Sequence, residues 1–328
     1  MPLLPFSEFM LVKTDPIRTN GGPTPPQLIA LVGPTASGKT ALAIEIAARL
    51  DTEIISADSM QFYRGMEIGT GAPEAQQLAR VQHHFVGFIE PDAPFSAGAF
   101  ERDARAIVDR LNRRGRPAVV VGGSGLYISA LIDGLFPGPG KDAEIRARLQ
   151  EEAETAGVRA LYARLREVDA GYADTIQCND LRRIVRGIEV YEQTGTPLST
   201  LHREHREEAV ALDAVQFALD WPRDQLYARI DRRVDAMIQA GFLDEVQRLL
   251  DNGYGPHIER LRSLGYREMA AYLRRECALE EATERMKRNT RRYAKRQLTW
   301  FRSDSRIQWI PAAGHSAEDL AETILNRF

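Results

Sequence analysis

Apolar residues first fall into a regular pattern at Gln27, where the run LIALV is followed by GPTASGKT and then by ALAIEIAARL with apolar residues at helical spacing. That order, strand then glycine-rich loop then helix, predicts a βα unit. EIISA (53–57), HFVGFI (84–89) and PAVVV (117–121) read as further strands, and residues 99–112 as an amphipathic helix. Such alternation predicts an α/β fold, a parallel sheet with flanking helices. After Leu135 the run PGPGK breaks the pattern, and residues 142–210 read as charged helices without a strand until AVQFALD at 214–220. Helical patterns return at 223–240, 241–252 and 265–302, the last interrupted near Cys277, before a short IQWI strand and a final helix. The expected organisation is a flexible extension over 1–26, rich in Pro and Gly, an α/β core of 27–137 and 211–328, and an inserted all-α domain over 138–210.

Composition narrows the function classes. With 44% hydrophobic and 27% charged residues in 328, the chain can bury a core, and no apolar run approaches the roughly 20 residues a membrane span requires. Pro2, Pro5 and Glu8 interrupt the apolar N-terminus, no basic segment precedes it, and an unexported, cytoplasmic protein is expected. Cys178 and Cys277 are too few for a disulfide framework or a four-ligand zinc site. His83 and His84 are adjacent, so in a strand they point to opposite faces and cannot share a metal. The net charge of −3 argues against a uniformly basic nucleic-acid binder. Locally the balance reverses: residues 285–302 hold Arg285, Lys287, Arg288, Arg291, Arg292, Lys295, Arg296 and Arg302 with no acidic residue. Tyr293, Trp300 and Phe301 lie among them, a mixture suited to phosphate contacts and stacking on unpaired bases, although Trp300 and Phe301 are expected to pack inward.

Gly33, Pro34, Thr35, Ala36, Ser37, Gly38, Lys39 and Thr40 match G-x-x-x-x-G-K-[ST] between a strand and a helix, the P-loop context. Backbone N–H groups there can turn inward on an anion, the helix start adds positive potential, Lys39 adds a charge, and Thr40 offers a hydroxyl to Mg²⁺. Diphosphate binding is the implied chemistry. Most such loops serve nucleotide enzymes that hold the metal with an acid at the end of a hydrophobic strand, yet PAVVV ends in Gly122 and Gly123. The nearest acid is Asp58 after EIISA, which either faces the crevice beyond the strand ends or caps the following turn. In RDQLYARIDRRVDAM the apolar stripe Ile230, Val234, Met237 and Ile238 leaves Arg229 and Arg233 side by side, either reaching a diphosphate or lying on a solvated face with Asp231 and Asp235. In DLRRIVRGIEV, Arg182, Arg183 and Arg186 project from around a helix whose apolar residues face one way, and the same two readings apply.

GPTASGKT, ISADSMQFYRGMEIGTGAPE, HHFVGFIEP, VVVGGSGLYISALIDGL, NDLRRIVRGIEVYEQTG, LRSLGYREM and TRRYAKRQLTWFRSD resemble, in order and spacing, the tRNA dimethylallyltransferases, or isopentenyltransferases. The resemblance implies transfer of a dimethylallyl group from dimethylallyl diphosphate to the exocyclic amine of the adenine at tRNA position 37, without ATP. It gives Asp58 the part of general base, with Lys39 and Mg²⁺ on Thr40 assisting diphosphate departure, and it implies an adenine extruded from the anticodon stem-loop. Ser59, Met60, Gln61 and Ser124 match family positions that touch the tRNA. tRNA contacts are also expected at Arg146, at Arg182, Arg183, Ile184, Val185 and Arg186, at Arg262, Gly265, Tyr266 and Arg267, and at the basic residues Arg291, Arg292, Lys295 and Arg296. The absence of zinc-finger residues toward Phe328 resembles the bacterial form, and a monomer is expected because two domains clasping one anticodon stem need no partner. A small-molecule kinase, and a nucleotide-switched RNA-binding protein, are the rival readings. The missing acid, the helical insert and the basic helix count against a kinase.

Overall fold

Six segments pair side by side into one parallel sheet among the described residues, 27–208, 210–261 and 263–328 of a computed structural model. The expected extension 1–26 lies outside the described residues. In chain order the sheet contains β1 (Leu28–Val32), β2 (Ile54–Ser56), β3 (His83–His84), β4 (Ala118–Val121), β5 (Ala214–Asp220) and β6 (Ile307–Pro311), arranged β3-β2-β4-β1-β5-β6. β1, β2 and β4 are buried throughout, as strands covered on both faces must be. The flanking helices are α1 (Lys39–Arg49), α2 (Glu67–Thr70), α3 (Ala75–Arg80), α4 (Ala97–Asn112) and α5 (Gly125–Asp133). They leave two apolar layers, one gathering Leu28, Val32, Phe62, Phe100 and Val120, the other Ile29, Leu42, Ile46, Val119 and Phe217.

Residues 133–211 form a separate compact unit. It consists of α6 (Ala143–Thr155), α7 (Val158–Val168), α8 (Ala170–Ala173), α9 (Leu181–Thr194) and α10 (Leu198–Glu208), packed around Leu149, Leu161, Leu165, Tyr172, Ile184 and Ile188. At its centre the fully buried Glu189 accepts from Arg146 Nε at 2.7 Å and Nη2 at 2.9 Å, from Arg186 Nη1 at 2.9 Å, and from the Asp142 N–H at 2.8 Å. Burial pushes this carboxyl up, but the two guanidiniums outweigh it and hold Glu189 below the ordinary carboxylate range.

After β5 the chain continues through α11 (Arg223–Gln239), α12 (Phe242–Asp251), α13 (Gly255–Leu261), α14 (Tyr266–Leu273), α15 (Leu279–Arg302) and, beyond β6, α16 (Ala317–Leu325). The expected interruption near Cys277 is the gap between α14 and α15, where Arg275 adopts a left-handed φ of 61°. The segment 84–89 departs from expectation: only His83 and His84 pair with β2, and the backbone turns away at Phe85 (φ 62°) and Gly87 (φ 54°). The apolar run is explained by an aromatic cluster instead, in which Phe62 meets Phe85, Phe88, Phe95, Phe100 and Tyr127 with ring centroids 5.2–6.3 Å apart. The two histidines have separate structural partners, Val81 O for His83 and the Glu53 carboxylate for His84.

Candidate active site at the carboxyl ends of the strands

The loop after β1 wraps the start of α1. Gly38 takes a left-handed φ of 102° as the helix N-cap, and Ala36 a φ of 62°, a conformation that costs an L-residue energy. Arg229 on α11 supports that strained peptide by donating from Nε to Ala36 O at 2.8 Å, while its guanidinium lies 4.2 Å from the Trp221 ring centroid. Trp221 in turn donates from Nε1 to Ser37 O at 2.9 Å. The Lys39 ammonium donates to Pro34 O at 2.6 Å and approaches Ser37 Oγ at 3.4 Å.

Asp58 follows β2 in a turn closed by Gln61 N–H on Asp58 O at 3.0 Å, with the Met60 N–H on its own carboxylate at 3.1 Å. The turn-capping role and the crevice-facing role therefore coexist. Lys39, Asp58 and Arg233 sit within one another's electric fields, deep among protein atoms yet with Lys39 and Asp58 each keeping part of its surface open. Burial drives Lys39 down from 10.5 to about 7, Asp58 opposing and Arg233 reinforcing the fall. Burial raises Asp58, while the Met60 N–H and the charges of Lys39 and Arg233 pull it back. Burial also lowers Arg233, whose Nη2 donates to Thr70 O at 3.0 Å. This cleft holds an excess of buried positive charge around one carboxylate, an arrangement suited to an anion bearing several charges.

β4 ends where no acid can stand. A Cβ at Gly122 would lie 2.3 Å from Ala57 O, and one at Gly123 would lie 2.2 Å from Gln297 Nε2. Gln297, 5% exposed on α15, accepts the Thr35 N–H at 2.9 Å and donates to Gly123 O at 2.9 Å. Next to it Ser124 accepts the Ser59 N–H at 3.2 Å, and the Tyr293 phenol hydrogen-bonds with the side chains of Ser124 and Gln297. Burial and the charge of Asp58 push that phenol up. Gln297 and Trp221 escaped the sequence reading. Gln297 was detectable in principle as a polar residue on the stripe Ala282, Met286, Ala294 and Phe301 that α15 buries.

The other expected contacts divide. Gln61 bridges Ser56 Oγ (3.0 Å) and Gly71 O (3.3 Å), and Met60 packs partly into the apolar cluster around Val246 and Met269. Ser124 is 3% exposed and orients Ser59 from within. Burial separates several of the residues expected to touch tRNA. Ile184 is 0% exposed in the core of the helical unit, and Tyr266, also 0% exposed, donates its hydroxyl to Glu245 at 2.7 Å. Glu245 also accepts the Ile68 and Gly69 N–H groups at 2.7 and 2.9 Å, so Tyr266 fixes the α2 turn from inside. Gly265 is a packing position, since a Cβ there would lie 2.7 Å from Met286 Cε. Arg146 and Arg186 are engaged by Glu189, Arg183 lies 3.5 Å from Asp180, and Arg267 pairs with Glu259 at 2.9 Å. Arg182 is exposed and Val185 half-buried on α9, and Arg262 lies outside the described residues.

On α15 the basic stretch is partly neutralised across the helix pair: Arg291 meets Asp231 at 2.5 Å and Lys287 meets Asp235 at 2.7 Å. Asp231 and Asp235 of α11 thus serve α15, while on the same helix Arg229 holds the loop at Ala36 and Arg233 the turn at Thr70. Arg292 and Lys295 are exposed, Arg296 lies over Tyr293 at 5.6 Å, and Phe301 is buried.

The family model described as IPP transferase matches residues 61–304. A tRNA dimethylallyltransferase 1 from Pelobacter propionicus is 48% identical over 289 residues, covering 88% of this chain and 94% of that one. A tRNA dimethylallyltransferase 2 from Geotalea uraniireducens is 49% identical over 284 residues, covering 87% and 92%. Among solved structures, a tRNA isopentenylpyrophosphate transferase from Bacillus halodurans superposes with a TM-score of 0.66 at 37% identity, covering 92% and 96%. A eukaryotic dimethylallyltransferase described as acting on tRNA superposes with a TM-score of 0.72 at 25% identity, covering 91% and 77%.

Proposed function

Because this chain belongs to the IPP transferase family, it acts as a tRNA dimethylallyltransferase, and we propose how its cleft divides the work between a leaving diphosphate and an attacking adenine amine. The donor is dimethylallyl diphosphate, held by backbone N–H groups of the loop 33–40 other than Pro34, which has none, and Thr35, whose N–H is given to Gln297, with Lys39, Arg229 and Arg233 around it. The acceptor is the exocyclic amine of the adenine at position 37, presented by the anticodon stem-loop of tRNA. Carbon one of the prenyl group exchanges its C–O bond for a C–N bond, and diphosphate departs with the electron pair. The amine is a poor nucleophile because its lone pair is delocalised into the ring, and the proton it loses passes to the Asp58 carboxylate. Burial makes Asp58 a stronger base than a solvated aspartate, and Lys39 and Arg233 favour its ionised form.

Mg²⁺ fits this donor set. The Thr40 hydroxyl makes no hydrogen bond to the described residues, and a hard oxygen beside a bound diphosphate is what that ion takes up, with phosphate oxygens and water as its other ligands. Bound there, it would neutralise charge on the departing diphosphate. No helix among the described residues is long and apolar enough to cross a membrane. A cytoplasmic monomer suits this reading.

The observation that carries it is the placement of the acid. Asp58 stands after β2 facing Lys39 and Arg233, while Gly122 is packed against Ala57 O where a nucleotide hydrolase would keep its metal-binding carboxylate. Incubation of the protein and Mg²⁺ with unmodified tRNA and either labelled dimethylallyl diphosphate or γ-labelled ATP tests it. Prenyl label in RNA, abolished when the adenine beside the anticodon is replaced, is the expected result. Phosphate transfer from ATP with no prenyl label would restore the kinase or switch reading.

A further inference from the structure

The phosphate loop is anchored from a helix at the far end of the sequence. Thr35 lies in the loop between β1 and α1, where its N–H belongs to no strand or helix, and its partner is Gln297, 262 residues later. The same amide donates to Gly123 O, so one side chain ties the loop after β1 to the loop after β4. Gly123 is fitted to it, since any Cβ there would collide with Nε2. Tyr293 reaches the same side chain with its phenol from one helical turn earlier, and the amide's orientation is set by the Thr35 N–H on its oxygen and Gly123 O on its nitrogen. Chemically the choice of amide matters. A glutamate would accept from Thr35 equally well, but it would repel Gly123 O and place a negative charge beside the anion that the loop receives.

We propose that Gln297 is a positioning residue for the diphosphate: it sets the geometry of the phosphate loop through Thr35 while keeping that corner of the cleft uncharged. The inference rests on the diphosphate reading of the loop given above. It assigns to α15 a part in binding the donor in addition to any contact its exposed basic residues make with RNA.

Inorganic pyrophosphate with Mg²⁺, titrated calorimetrically into the full chain, isolates this step from prenyl transfer and from tRNA. Gln297→Met keeps the volume and removes both hydrogen bonds, leaving a buried N–H and a buried carbonyl without partners, and should weaken pyrophosphate binding about tenfold to a hundredfold at every pH. Gln297→Glu should be weaker still at pH 8, with its deficit against the parent closing as pH falls toward 5, because a protonated carboxyl can accept from Thr35 and donate to Gly123 as the amide does. That pH-dependent recovery is a signature that simple space-filling would not produce, and it remains readable if Gln297→Met fails to fold. Binding equal to the parent in both variants, or a deficit in Gln297→Glu that does not change with pH, would overturn the proposal. If the parent chain itself takes up no pyrophosphate, the diphosphate reading fails, and the role of Gln297 fails with it.

Discussion

Lys39 titrates near neutrality because burial and Arg233 act against its charge, and a diphosphate brought to the loop reverses the balance. Binding should therefore take up a proton. Below about 7 Lys39 is already charged and adds no pH dependence of its own, whereas above it each rise in pH makes the ammonium scarcer in the free protein. Pyrophosphate affinity should accordingly decline as pH climbs from 7 toward 9, and titration heats should differ between buffers of different ionisation enthalpy. Heats that are equal between buffers once the protons released by pyrophosphate itself are subtracted would show that Lys39 does not change protonation on binding. At the neighbouring acid, Asp58→Ala should lower kcat about a hundredfold to ten-thousandfold, as loss of a general base does, with tRNA affinity within about tenfold. Single-turnover kinetics beside filter binding separates the two, and a parallel collapse in affinity would make Asp58 a docking residue. Lys39 and Asp58 were legible in the sequence, because a G-x-x-x-x-G-K-T loop between strand and helix fixes a lysine at an anion site and an acid after the next strand faces it. The burial of Ile184 and Tyr266 could not be read for a reason of the same kind: they lie inside well-matched blocks, and a block match does not say which of its side chains point inward.

Helix α15 shows one stripe to the protein and another to solvent. Its inward stripe carries Met286, Ala294, Gln297 and Phe301, while Arg292 and Lys295 stay exposed and Arg291 is shared with Asp231. Charge reversal at Arg292 and Lys295 together should lower the slope of log tRNA affinity against log salt by about two, one for each lost phosphate contact, and Arg291→Ala should lower it less. An unchanged slope would leave the helix a solvated face. Glu245 and Tyr266 show the opposite case, in which two elements far apart in sequence are joined internally. Glu245→Ala strips the acceptor from two backbone N–H groups and the Tyr266 hydroxyl, and should cost about 3 kcal/mol in denaturant unfolding, against about 1 kcal/mol for Tyr266→Phe. If Tyr266→Phe instead left stability alone and weakened tRNA binding, the tRNA assignment would return. Most strands and helices could be read from periodicity alone. The segment 84–89 could not, since a run of apolar residues looks the same whether it extends a sheet or folds over as an aromatic cluster, and the left-handed turn at Phe85 has no glycine to announce it.

At the scale of the whole molecule, the α/β sheet and the helical unit of residues 133–211 each have a core, and each can be weakened separately. Glu189→Ala leaves two half-buried guanidinium partners without their carboxylate and should remove about 3 kcal/mol from the helical unit. In the parent, because Glu189 is held below its ordinary range, that stabilisation is present at neutral pH and fades as acid protonates the group. Calorimetry should show an early transition in the variant while pyrophosphate binding to the remaining native protein persists. One undivided transition would mean that both units unfold together. The sheet also constrains what this architecture could become. The Cα of Gly122 faces the carbonyl of Ala57 so closely that even alanine would force β2 and β4 apart. A carboxylate side chain at that strand end would first require the backbone at the ends of these two central strands to move apart. The strand end that would carry a hydrolase's carboxylate is thus closed by packing against Ala57, and the acid that faces the phosphate loop has to come from the neighbouring strand, as Asp58 does.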